Sequence, residues 1–185
     1  QQRALDELSH ATPGTYLLHD ITGSGKTALY IEHIKRTLES GKSAIVLVPE
    51  IALTSQLIAE FQQHFDDIIL AHSRQTEAER HVAWNEALMS ETPRVVIGPR
   101  SALFLPLRNI GVIIIDEAHE PSFKQDQSPR YSALRVASVL ARHHGAHVIQ
   151  GSATPLVSEY YLATSQRRPI LELPEKAKSS ATTPD

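Results

Sequence analysis

The chain has 185 residues, 41% hydrophobic and 21% charged, with a formal net charge of −3 and no cysteine. That length is one domain with a single sizeable core, and no apolar run nears the ~20 residues that span a bilayer. The charge excludes a uniformly basic nucleic-acid clamp but not a local phosphate contact, and the missing cysteines exclude disulfides and thiolate metal sites. The chain opens Gln1-Gln2-Arg3-Ala4, with no initiator Met and no signal peptide, so it reads as a cytoplasmic piece of a longer protein.

Short β-branched runs alternate with helical stretches, the pattern of a mostly parallel sheet wrapped by helices on both faces. Strands are predicted at residues 15–19, 44–48, 68–71, 94–97, 112–115, 148–150 and 170–173. A helix is predicted over 27–40, with Ala28, Ile31, Ile34 and Leu38 on one face and Gly41 as its stop. A second spans 53–65 on the stripe Leu53, Leu57, Ile58 and Phe61. A third spans 76–89, where Thr76 and Glu79 have capping-box spacing and Val82, Trp84 and Leu88 are available for burial. Residues 120–129 read as a polar loop, 132–143 and 156–164 as helices. The folded domain is set at 1–174, and the Lys-, Ser-, Thr- and Pro-rich residues 175–185 as a disordered tail or linker.

The first strand runs through Asp20 into Thr22-Gly23-Ser24-Gly25-Lys26-Thr27. Gly23 and Gly25 let backbone N–H groups crowd around a triphosphate, and the helix that follows aims its amino terminus at it. Lys26 would neutralise the β- and γ-phosphates, and the Thr27 hydroxyl would ligate Mg²⁺. The full pattern takes glycine where Asp20 stands; aspartate tolerates left-handed backbone better than most residues. The apolar run 112–115 implies a strand buried on both faces, hence central. It ends in Asp116-Glu117-Ala118-His119. Asp116 is placed to hold Mg²⁺, Glu117 to orient and deprotonate the attacking water, and His119 to sense the γ-phosphate. Among ten histidines, His143, His144 and His147 are the densest group. Adjacent helical residues diverge and no carboxylate has ligand spacing, so they read as surface and loop histidines.

The acidic motif together with Gly151-Ser152-Ala153-Thr154 resembles the paired second and third motifs of superfamily 2 helicases. Three further segments narrow the likeness: residues 48–56 (Val-Pro-Glu-Ile-Ala-Leu-Thr-Ser-Gln), residues 96–104 (Val-Ile-Gly-Pro-Arg-Ser-Ala-Leu-Phe), and Phe123-Lys124-Gln125 with Arg130-Tyr131. They are similar to the first motor lobe of the primosomal, replication-restart DNA helicases, over residues 15–172. The resemblance implies a three-layer RecA-like P-loop NTPase domain that binds ATP with Mg²⁺ and couples hydrolysis to translocation at stalled forks. It implies DNA contacts at Thr54, Gln56, Arg100 and Ser101, and coupling through Ser152, Thr154, Phe123, Arg130 and Tyr131. The implied partners are single-stranded and forked DNA, a second RecA-like lobe of the same chain, and single-strand-binding and primosome proteins, with no membrane. Zinc is implied only for the part of the longer chain beyond this one. Phe123 and Tyr131 lie in an aromatic loop, where a ring either stacks on a base or folds back onto the core.

The chain departs from that family at Ala118, at Glu120, at residues 132–135 and at Pro99, which removes a backbone donor from the DNA path. Two other readings stay open: another superfamily 2 translocase, such as a DNA-uptake or fork-remodelling motor, and a degenerate nucleotide-binding module that only recruits partners.

Overall fold

The computed structural model describes residues 2–9, 11–20, 25–155, 157–165 and 170–173. In chain order its elements are α1 (Gln2–Ser9), β1 (Gly14–Asp20), α2 (Lys26–Glu39), β2 (Ser43–Leu47), α3 (Ser55–Gln62), β3 (Ile68–Leu70), α4 (Glu77–Met89), β4 (Val95–Gly98) and β5 (Ile110–Ile115). There follow β6 (Lys124–Gln125), β7 (Tyr131–Ser132), α5 (Ala133–His144), β8 (His147–Ser152), α6 (Val157–Ser165) and β9 (Ile170–Leu173). Among the described residues, seven strands form one sheet in the order β3-β4-β2-β5-β8-β1-β9, every neighbouring pair parallel. β5 is central, as its apolar run implies. The predicted three-layer α/β architecture is found.

Strand residues alternate between two cores, because successive side chains point to opposite faces. Val46, Ile114 and Ile149 pack with Leu5 and Leu8 of α1, Leu29, Ile31 and Ile34 of α2, and Phe61 of α3. Ile45, Ile113, Ile115 and Val148 pack with Ala83 and Ala87 of α4 and with Ala133, Leu134, Ala137 and Ala141 of α5. The carboxyl ends of the strands are level: Leu47 pairs with both Gly98 and Ile115, and Ile115 pairs with Gln150. Every segment singled out for chemistry therefore leaves the same sheet edge. Those after β4 and β2 lie on one side of β5, those after β8 and β1 on the other.

The fold corrects several expectations. The helix α1 was not foreseen, although Leu5 and Leu8 are 6% and 0% exposed. The helix expected over 53–65 is shorter, because Thr54 is extended (φ −90°, ψ 158°) and caps α3, leaving Glu50–Ala52 as a separate 3₁₀ turn. In α4 the capping box of Thr76 and Glu79 is present. Its burial is not as expected: Val82, Trp84 and Leu88 are exposed, and Ala83 and Ala87 face the sheet. α4 carries apolar residues nearly all round, so periodicity could not choose its inner face. The loop expected at 120–129 contains a 3₁₀ turn, Pro121–Phe123, and continues into the antiparallel ribbon β6/β7.

Of the three clustered histidines, His143 is exposed in the last turn of α5, as read, and His147 differs from expectation. His147 lies on a strand, half-buried, and its ring stacks on that of His33 at 5.6 Å and 16°. His33 is itself buried. Among the described residues no group of three or more His, Asp or Glu side chains is arranged to hold a metal ion, and no helix is long and apolar enough to cross a membrane.

Candidate active site

Thr22, Gly23 and Ser24 lie outside the described residues, as does the expected tail, residues 175–185. The described part of the expected phosphate loop starts at Gly25, which enters α2 at φ 83°, ψ 34°. A side chain is strained in that left-handed conformation, so glycine is what lets the chain turn into the helix. Lys26 and Thr27 are then the first two residues of a 14-residue helix, where free N–H groups and the helix dipole favour anions.

Across the edge, the acidic motif is a tight turn pinned on two sides. Asp116 N donates to Leu47 O at 2.9 Å, Ala118 N to Gly151 O at 2.9 Å, and Glu120 N to Glu117 O at 2.8 Å. Glu117 sits at φ 50°, which a non-glycine residue holds only where neighbours fix it. The turn delivers both carboxylates to one cation: Lys26 Nζ is 2.7 Å from Glu117 Oε1 and 3.3 Å from Asp116 Oδ1. Burial pushes the Asp116 carboxyl above the usual range and Glu117 adds to this, while the Lys26 ammonium and the Tyr30 hydroxyl oppose it. The elements thus bring Lys26, Asp116 and Glu117 together.

His119 Nδ1 is 2.8 Å from Ser152 Oγ and 3.5 Å from Glu117 Oε2. Ser152 Oγ also accepts the backbone N–H of Thr154 at 3.1 Å. A chain of contacts therefore runs from the acidic turn into the third motif. The sequence reading missed Tyr30, whose hydroxyl donates to Asp116 Oδ1 at 3.1 Å. The signal was available: Tyr30 is four residues after Lys26, on the same helix face.

The expected DNA contacts are more dispersed. Thr54 and Gln56 are exposed at the start of α3, with Thr54 Oγ1 accepting the N–H of Leu57 at 3.2 Å. Arg100 and Ser101 line a cleft of about 250 Å³ together with Glu50, Ser73, Ser122 and Phe123. Glu50 Oε1 is occupied there by the N–H and hydroxyl of Ser73, at 3.0 and 2.7 Å. Phe123 is folded into the core at 1% exposure, and the half-buried Tyr131 packs edge-on against Phe104. Arg130 is exposed, its Nε donating to Asp126 O at 3.0 Å.

The sequence profile of DEAD/DEAH box helicases matches residues 1–161. The chain belongs to the DEAD/DEAH box helicase family. Within it, replication restart protein PriA of Bacillus subtilis (strain 168) is 45% identical over 159 residues, 85% of this chain and 20% of that protein. PriA of Chlamydia pneumoniae is 39% identical over 186 residues, 97% of this chain and 25% of that protein. This helicase domain therefore spans about a fifth to a quarter of the length of these curated relatives. Its fold is that of RecG bound to a three-way DNA junction (TM-score 0.68, 20% identity, 97% of this chain and 23% of that one). It is equally that of the helicase MrfA bound to DNA (TM-score 0.66, 17% identity, 95% and 25%).

Proposed function

We propose that this chain is the nucleotide-binding first lobe of an ATP-dependent DNA helicase that acts in replication restart. The observation that carries the reading is the meeting of Lys26 with Asp116 and Glu117 at the end of the central strand. Its support is the kinship with the restart helicases PriA. Lys26 would leave the two carboxylates to hold the β- and γ-phosphates, and the amino terminus of α2 would add its N–H groups. The donor set fits magnesium: a carboxylate and a threonine hydroxyl are hard oxygen ligands, and two carboxylates share one lysine. Thr27 and Asp116 would hold that ion, which supplies charge neutralisation on the phosphates when bound. Glu117 would orient the water that attacks the γ-phosphorus and accept its proton, as ADP leaves.

A second lobe would close over the nucleotide and add an arginine, so this chain alone would bind ATP and turn it over weakly. Single-stranded DNA would cross the edge after β4 and β2, over Thr54, Gln56 and Ser101, with hydroxyl and amide groups on its phosphates. Forked DNA and the proteins of restart would be partners of the whole protein, in the cytoplasm.

The test is Lys26→Ala with ATP binding read by calorimetry. Hydrogen bonds to a charged group are worth ~1.5–3 kcal/mol, so affinity should fall by about tenfold to a hundredfold or more. Undiminished binding would overturn the phosphate-loop assignment.

A further inference from the structure

Arg100 stands where a phosphate ligand is expected, yet its guanidinium is turned onto the protein. Nη1 donates to the carbonyl oxygens of Ser122 and, at 3.1 Å, of Lys124, while Nη2 donates to Gln125 Oε1. Ser122 belongs to the 3₁₀ turn Pro121–Phe123, and Lys124 and Gln125 are β6, which follows it directly. The other strand of the β6/β7 ribbon is fastened to the same turn as Arg100, where the rings of Phe104 and Tyr131 of β7 meet edge-on with centroids 5.3 Å apart. The stretch 121–132 starts one residue after the acidic motif, bonded to it by Phe123 N to Glu120 O at 3.2 Å and Glu120 N to Glu117 O at 2.8 Å.

We propose that Arg100 is a positioning residue: it latches residues 121–132 onto the turn Arg100–Phe104, and serves single-strand binding by holding that ribbon in place rather than by carrying a phosphate. The proposal rests on the single-strand path given above. An arginine suits the task because a planar fork of donors reaches three diverging acceptors, which a lysine's single ammonium cannot reproduce. The phosphate charge then comes from the ribbon itself, where Lys124 and Arg130 are exposed. The latch also gives the ribbon a fixed place between the acidic turn at one end and the strand edge at the other.

The test compares Arg100→Lys, Arg100→Ala and Gln125→Leu in the whole protein. Amide hydrogen exchange over 121–132 is read without DNA, and oligothymidylate binding is read by anisotropy across a salt series. The latch predicts that exchange there speeds up about tenfold in both arginine variants, from the loss of two to three hydrogen bonds. It predicts that Lys weakens binding as much as Ala does, and that Gln125→Leu, with every charge kept, also speeds exchange. A phosphate ligand predicts the reverse. Lys then binds as the parent does, Ala lowers the salt slope by about 0.7, and exchange is unchanged in all three variants; that result overturns the latch. Should the parent protein bind no oligothymidylate, the single-strand path fails, and the exchange readings alone still uphold or overturn the latch.

Discussion

The Tyr30 hydroxyl donates to Asp116 Oδ1 at 3.1 Å, and the same phenol occupies the space beside Gly151, where an added Cβ would fall 1.8 Å from Tyr30 Oη. One side chain of α2 thus touches both the acidic turn and the strand that leads to Ser152 and Thr154. Lys26 reaches that turn from the first position of the same helix. A shift of α2 against the sheet is therefore felt by the carboxylates and by the third motif together.

Tyr30→Phe keeps the ring in place and removes only the hydroxyl. A hydrogen bond to a carboxylate is worth ~1.5–3 kcal/mol, so Mn²⁺ should bind the ADP-loaded protein at least about tenfold more weakly by electron paramagnetic resonance. Nucleotide affinity without metal should hold. Equal Mn²⁺ affinity in parent and variant would mean that Tyr30 does not position Asp116.

Gly151→Ala tests the same contact from the other side. The new methyl cannot coexist with the phenol, so Tyr30 must leave Asp116 or the strand must move. Overpacking of this kind destabilises by ~1–3 kcal/mol, read as a lower urea midpoint. Tyr30→Ala vacates the contested space, so Gly151→Ala should lower the midpoint less in that background than in the parent; an equal loss in both would place the clash elsewhere.

Much of this site was legible because its chemistry is carried by strand ends. An apolar run such as 112–115 announces both a central strand and the edge at which Asp116 emerges. Lys26 and Glu117, 91 residues apart in sequence and in contact at 2.7 Å, each lie in a motif that is readable locally. What stayed hidden was set by tertiary packing. Phe123 could stack on a base or fill the core, and nothing local decided between them. Arg100 carries the same charge whether it faces solvent or Ser122, Lys124 and Gln125. Trp84 and Ala83 are neighbours on α4, and the sheet beneath accommodates the smaller one.

His33 should make the fold sensitive to acid. Burial, then the neighbouring His147 and Arg36, push its imidazole down to about 4 from the usual 6.5, and His147 is lowered too, chiefly by burial. At His33 the unfolded chain therefore binds more protons than the fold between about pH 6.5 and about 4, so the stability contributed there should be constant above that window and fall steadily through it. The loss from His33 levels off below about pH 4 at roughly 3 kcal/mol. His33→Phe keeps a ring over His147 and should flatten most of the dependence of the urea midpoint on pH. An unchanged slope in that variant would show that another group carries it.

Ser152 is 1% exposed, and its hydroxyl is shared between His119 Nδ1 and the N–H of Thr154. Ser152→Ala leaves both without that oxygen, in a place where water cannot readily replace it. An unsatisfied buried polar group costs ~1–3 kcal/mol. If His119 reports the γ-phosphate to the third motif through this hydroxyl, DNA-stimulated ATP turnover by the whole protein should fall about tenfold. ATP affinity should be kept, because Lys26 and the amino terminus of α2 are untouched. Ser152→Thr restores the hydroxyl and should recover part of the stimulated rate. A stimulated rate in Ser152→Ala equal to that of the parent would remove the hydroxyl from the coupling path and leave His119 to act through Glu117, 3.5 Å away.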